Sequence, residues 1–279
     1  MTGERAGSLG TPGAVRADDT TLAAALALGA GDVLTALRDR AGQDGLAFDG
    51  AELGRAGDAA AQAWLATAIA AARPEDACLS EEGERDDARL VADRVWIIDP
   101  LDGTREFAEC DPDGARRADF AVHVALWTRA AGLVAGAVAL PARHLVLDSA
   151  TVAPVDPDAA RPVLAGERPL RIAASRTRPP ELVTRLEGRD DVELVRMGSN
   201  GVKVVAVVEG TVDAYVHAGG QYEWDSAAPV AVARAAGLVA TRLDGSPLEY
   251  NRPDPWSPDL LVCHPGVEAR LRGLLDGAG

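Results

Sequence analysis

Asp99 and Asp102, in the stretch VWIIDPLDGTREF over residues 95–107, are the pair whose types and spacing first imply chemistry. An apolar run hands over directly to two carboxylates three residues apart, where their charges repel. Pro100 fixes the backbone after the first acid and Gly103 permits a tight turn. A helix beginning near Thr104 would aim its free amide groups at both acids, as helix starts do when they bind phosphate. Carboxylates beside such an anion site are compatible with it only if divalent cations sit between the two. Hard Mg²⁺ suits the arrangement, because it takes a few carboxylates and completes its octahedral shell with water and phosphate oxygens. For this stretch alone a simpler alternative is a capped turn, with Asp102 as helix cap and Asp99 exposed.

Two other acidic motifs fit less well. A calcium loop starting at Asp99 would place Leu101, Gly103 and Cys110 at its third, fifth and twelfth positions, where oxygen ligands are needed. Aspartyl-phosphatases of the haloacid dehalogenase type space their acids two apart, not three. Further along, CLSEEG sets Glu81 and Glu82 together after an apolar pair, a pattern that also describes a solvated face. In QYEWDSAAPVAVARAAG, Asp225 precedes a small-residue helix, with Pro229 expected in its first turn and Gly237 at its end. A capping role alone would account for Asp225 there.

The elements that must position these acids can be read from periodicity. Apolar residues recur at helical spacing from Thr20 to Arg40, after an ADDTT start rich in capping residues. GQDGLAFDGAELGRAGD breaks the pattern, and a second helix is expected over Ala59–Ala72, with Asp58 as its N-cap. FAVHVALW, GLVAGAVAL and HLVLDS read as an antiparallel meander. A Pro-rich link follows. After it, strands near LRIAAS, VELVRMG, VDAYVHA and LLVCHP alternate with helices from Glu181, through VKVVAVVEG, from Asp225 and at the end of the chain. Sheets covered by helices result, an α/β (α+β) class. The expected division is a disordered lead-in over 1–16, an α+β lobe with the metal site over 17–151, a link over 152–169 and an α/β lobe over 170–279.

Composition limits the partners. The 279 residues hold 43 acids against 28 bases, a formal charge of -15, which disfavours nucleic-acid polymers and anionic membranes. A small phosphorylated substrate remains compatible if bound cations reverse the field locally. Cys78, Cys110 and Cys263 lie far apart and the four histidines make no zinc pattern, so reduced cysteines in a cytoplasmic protein are expected. No apolar signal core and no run of membrane-spanning length is evident at this level.

Taken together, WIIDPLDGTREF, EWDSAAPVAVARAAG and the upstream LSEEG resemble the signatures of the inositol monophosphatase superfamily of Mg²⁺-dependent, lithium-sensitive phosphatases. The resemblance runs from about Thr20 to the C-terminus. LSEEG, DPLDGTREF and MGSNGVK…GTVDAYVHAGGQYEWD look most like its CysQ branch of 3′-phosphoadenosine 5′-phosphate (PAP) phosphatases. That resemblance implies a layered αβαβα sandwich and release of phosphate from PAP, a by-product of sulfate assimilation. It implies a first Mg²⁺ held by Glu81, Asp99 and the Leu101 carbonyl, and a second shared by Asp99, Asp102 and Asp225. A third, looser ion would share Glu81. Gly103 and Thr104 would meet the phosphate through their amides, and the Thr104 hydroxyl would orient water and pass its proton towards Asp58 or Glu81. Asp58 corresponds to the acid of an upstream T-x-A-D segment, which reads GRAGD here, so the family threonine is missing. Gly198, Ser199, Lys203 and the HAGGQY loop are candidate lining for the nucleoside. Lys203 could equally be a solvated helix residue, and His217 could face the pocket or cap a strand. Inositol 1-phosphate and fructose 1,6-bisphosphate are the alternative substrates within the superfamily, and a non-catalytic phosphonucleotide sensor is the alternative outside catalysis. The resemblance also implies a homodimer.

Overall fold

In strand β2 (Arg94–Asp102) the apolar run before Asp99 buries both of its faces. Trp96 and Ile98 point into one hydrophobic layer while Val95 and Ile97 point into another, and all four are fully buried. Burial of each such side chain contributes about 1.5–3 kcal/mol over leaving it in water. The computed structural model describes residues 18–43, 50–84, 86–111 and 113–277; the lead-in expected over 1–16 lies outside them.

Five strands form the first sheet in the order β1 (Ala77–Ser80), β2, β3 (Ala121–Thr128), β4 (Gly132–Leu140) and β5 (Leu145–Asp148). β1 and β2 run parallel, and the remaining neighbours are antiparallel, which makes β3 to β5 the expected meander. The second sheet has the order β7 (Val192–Met197), β6 (Leu170–Ser175), β8 (Ala214–Tyr222), β10 (Trp256–Cys263) and β9 (Val239–Thr241).

Helices α1 (Asp19–Gln43) and α2 (Gly50–Ala72) pack on one face of the first sheet. α6 (Asn200–Val208) and α7 (Glu223–Ala235) fill the layer between the sheets. The short helices α4 (Arg161–Leu164) and α5 (Glu181–Thr184), with α8 (Glu268–Gly277), cover the far face of the second sheet. A five-residue helix, α3 (Thr104–Ala108), follows β2 directly. The architecture is the expected αβαβα sandwich. Strand alternation builds it: on β10, Leu260 and Val262 face the middle layer while Leu261 and Cys263 face the outer one.

Several local expectations are corrected. α2 begins at Gly50 rather than Ala59, so Asp58 lies inside the helix and is not its N-cap. Gly50, Gly54 and Gly57 share one helical face, and the last two are close-approach sites rather than breaks. A Cβ on Gly54 would come within 2.8 Å of Thr104, and one on Gly57 within 2.8 Å of Phe107 and 2.9 Å of Leu101. Likewise α7 starts at Glu223, which puts Asp225 in its first turn and Pro229 in its interior. HAGGQY is not a loop but the end of β8, with positive φ at Gly219 and Gly220. β1 and β9 carry too few residues to show a period. Finally, residues 19–41 of α1 are long and apolar enough to cross a bilayer by length and composition. Ala23, Leu26, Ala27, Ala30 and Leu34 are instead buried against α2 and the first sheet, the placement of a core helix.

Candidate active site

The three-residue spacing of Asp99 and Asp102 would put them on opposite faces of a regular strand. A β-bulge prevents this. Asp99 pairs with His123 and Asp102 with Ala121, so β2 spends one more residue than β3 between the two pairs. Pro100 and Leu101 together stand opposite the single residue Val122, and Leu101 buries its side chain on the α1/α2 side. Both carboxylates then point towards the first turn of α7, and oxygens of Asp99, Asp102 and Asp225 all lie within 4.8 Å of one another.

Each acid of this triad is pinned by one oxygen. Asp99 Oδ1 accepts from the Leu101 amide at 3.0 Å, and Asp225 Oδ2 accepts from the Tyr222 amide at 2.6 Å. Asp102 Oδ2 accepts from the Ser199 hydroxyl at 2.5 Å and the Gly201 amide at 2.8 Å, which sets it at the start of α6. Among the described residues, no hydrogen-bond donor reaches Asp99 Oδ2, Asp102 Oδ1 or Asp225 Oδ1. Three hard oxygens on rigid backbone anchors, close enough to repel, are the donor set a divalent cation needs.

The acidities record this crowding. Asp99 is raised well above the ordinary carboxylate range by burial, then by Asp102, Glu81 and Asp225. Asp225 is pushed up to about 6 by burial and by Asp102. Burial also works to raise Asp102, but His123, Lys203 and the Ser199 hydroxyl outweigh it and bring it to about 2. A negative charge is therefore settled on Asp102 and resisted on its two neighbours.

Glu81 follows β1, which ends beside β2 in the register Ser80–Ile98, so the acid emerges next to Asp99. It stands outside the tight triad. Its surface is open to solvent, but the side chain lines a cavity of about 370 Å³ together with Ser80, Tyr222 and Trp224. Desolvation, then Asp225, Asp102, Asp58 and Glu82, push it up to about 7.

On the other side, Gly103 adopts φ 94° and α3 begins. Thr104 Oγ1 lies 3.2 Å from Asp58 Oδ1 and 3.2 Å from the Leu101 carbonyl. Having one proton, it serves one of these acceptors at a time. The glycine face of α2 is what lets Asp58 approach. Asp58 is pushed up to about 6 by burial and by Glu82, partly countered by Thr104.

The remaining candidates divide. The Ser199 hydroxyl, besides donating to Asp102, accepts from the Val202 amide at 3.1 Å and is buried. Gly198 donates its amide to Asp119 at 2.6 Å. Lys203 is not a solvated helix residue: it is 4 % exposed, its ammonium lies 5.1 Å from the Tyr215 ring centre, and burial lowers its pKa. α6 is enclosed between two sheets, a fact its own sequence does not carry. His217 is bonded through Nε2 to the Gly220 carbonyl at 2.9 Å.

His123 escaped the sequence reading. It is fully buried on β3, with Nδ1 3.2 Å from the Trp224 carbonyl and Nε2 3.2 Å from Asp102 Oδ2. The second approach is close but not aligned as a hydrogen bond, and Nε2 has no other partner. A lone polar residue inside FAVHVALW was the available signal. Beyond the acids, buried Glu223 accepts from the Asn251 and Arg252 amides at 2.6 and 2.8 Å, and Asn251 in turn holds buried Arg89 at 2.7 Å.

With this geometry in view, similarity to known proteins is informative. The chain is 48% identical to the 3′-phosphoadenosine 5′-phosphate phosphatase of Mycobacterium leprae, over 92% of this chain and 93% of that one. It superposes on the crystal structure of CysQ from Bacteroides thetaiotaomicron with a TM-score of 0.67 and 27% identity, over 88% of this chain and 97% of that one. Inositol monophosphatase II of Staphylococcus aureus shares the fold, with a TM-score of 0.71 at 20% identity over 90% and 93% of the two chains. Residues 17–271 match the pattern of the inositol monophosphatase family, and the chain belongs to that family of metal-dependent phosphatases.

Proposed function

We propose that this chain is a Mg²⁺-dependent phosphomonoesterase that hydrolyses PAP to AMP and phosphate, clearing a by-product of sulfate assimilation in the cytoplasm. The observation that carries the reading is the convergence of Asp99 and Asp102, from the end of β2, with Asp225, from the first turn of α7, each with one oxygen pinned and, among the described residues, one left without a donor. The naming of its 48% identical relative supports PAP as the substrate.

Asp99, Asp102, Asp225, Glu81 and the Leu101 carbonyl would hold two Mg²⁺, with a third sharing Glu81. When bound, the ions supply neutralisation of the phosphoryl oxygens and activation of water. The chain does the rest. Thr104 Oγ1 orients the attacking water and passes a proton to Asp58 Oδ1, whose value of about 6 leaves it ionised yet basic enough to accept near neutrality. A bond forms between the water oxygen and phosphorus, and the bond from phosphorus to the ribose 3′ oxygen breaks, that oxygen leaving with the bonding pair and taking a proton from solvent to become the 3′ hydroxyl. The Gly103 and Thr104 amides face the phosphate. Ser199 serves the site by holding Asp102 rather than by touching substrate.

The test is phosphate release from PAP, inositol 1-phosphate and fructose 1,6-bisphosphate, with and without Mg²⁺. PAP should give the highest kcat/KM, chelation should abolish release, and Asp99→Asn should abolish it with an unchanged circular dichroism spectrum. Faster release from either other substrate, or release that survives chelation, would refute the assignment.

A further inference from the structure

His123 stands where the segments bearing the acid triad cross. It is the register partner of Asp99 on the neighbouring strand. Its Nδ1 meets the carbonyl of Trp224, the residue before Asp225, and its Nε2 meets Asp102 Oδ2, both at 3.2 Å. The fourth side is closed by the start of α6, where a Cβ on Gly201 would come within 2.2 Å of Nε2. The ring therefore touches or abuts every backbone segment that sets a triad carboxylate.

An imidazole is an expensive choice for this volume. The flanking strand residues Ala121, Val122, Val124 and Ala125 are apolar and fully buried, and an apolar side chain at 123 would satisfy the same packing. Leaving Nε2 buried without an aligned partner carries an uncompensated desolvation cost. That cost is intelligible if the ring holds neighbours in place. Asp102 Oδ2 is already met by Ser199 and Gly201, and the imidazole completes a protein wall on that oxygen while Oδ1 is left to the other acids.

We propose that His123 is a positioning residue for the cation site: its ring spaces Asp102 from the Trp224–Asp225 turn and so sets the width of the triad. This rests on the reading of the triad as a divalent-cation site. Residues just outside a metal's ligands typically alter affinity by about 10–100-fold when replaced.

The test uses the full chain and Mg²⁺ alone, by isothermal titration calorimetry, beside PAP hydrolysis. His123→Phe should weaken Mg²⁺ binding by about 10–100-fold. The Mg²⁺ concentration for half-maximal activity should rise by the same factor, while KM for PAP at saturating Mg²⁺ stays within about twofold of wild type. His123→Gln, whose amide nitrogen reaches towards the Nε2 position, should recover part of the affinity. Gly201→Ala keeps the imidazole but displaces it, and should weaken binding in the same direction; it decides the matter if His123→Phe does not fold. Mg²⁺ affinity unchanged in both His123→Phe and Gly201→Ala, with wild type binding normally, overturns the role of His123 alone. A wild-type chain that takes up no Mg²⁺ overturns the metal site and this inference together.

Discussion

Four of the acids around the site hold protons more tightly than free carboxylates do. Asp58 and Asp225 rise from the ordinary 3.8 to about 6, Glu81 from 4.5 to about 7, and Asp99 is raised as well. A group raised by folding binds more protons folded than unfolded, so metal-free stability must fall as pH climbs from the unfolded values through the folded ones. Asp102 has the opposite sign: held at about 2, it contributes stability above 3.8 that is lost as pH drops towards 2. Between about pH 5 and 7 the raised group dominates. Thermal melting in a chelator should show Tm declining across that window, and added Mg²⁺ should reverse the slope, because binding requires the deprotonated acids. A flat or rising Tm in chelator would show that the carboxylates do not crowd one another. At this scale the sequence picked out Asp99, Asp102 and Asp225, which the fold brings within 4.8 Å of one another. It did not disclose which would be charged, since the neighbours that decide this lie far along the chain.

Two local devices place those residues. The bulge in β2 turns Asp99 and Asp102 to one face, and the glycine face of α2 brings Asp58 to Thr104. Gly57→Ala tests the second. The added methyl meets Phe107 and Leu101 at under 3 Å, and overpacking of this kind costs about 1–3 kcal/mol. Alanine's better helix propensity returns about 0.5–1 kcal/mol. A net loss of about 1 kcal/mol in urea unfolding is expected, with a fall in kcat as Asp58 is moved away from Thr104. An unchanged urea midpoint and kcat would mean that α2 has room to spare. The glycines of GAELGRAGD read as breakers because glycine is usually placed by conformation; here it is placed by contact, which local sequence does not report.

Across the whole molecule, a charge of -15 opposes the approach of an anionic substrate. Salt screens that repulsion over a Debye length of about 8–10 Å at physiological strength. With Mg²⁺ saturating, kcat/KM for PAP should therefore rise a few-fold between low and moderate ionic strength, measured from initial rates. A monotonic fall would mean that local cations already dominate the field. The α/β class was legible because apolar strand runs and helical periodicity are properties of neighbouring residues, whereas the αβαβα layering was implied by the family resemblance. What only tertiary structure decided was proximity between residues distant in the chain: Asp58 to Thr104, Ser199 to Asp102, His123 to Trp224, and the burial of Lys203 between sheets. Periodicity reports which face of an element turns inward, whereas the packing of one layer on another determines what that face meets.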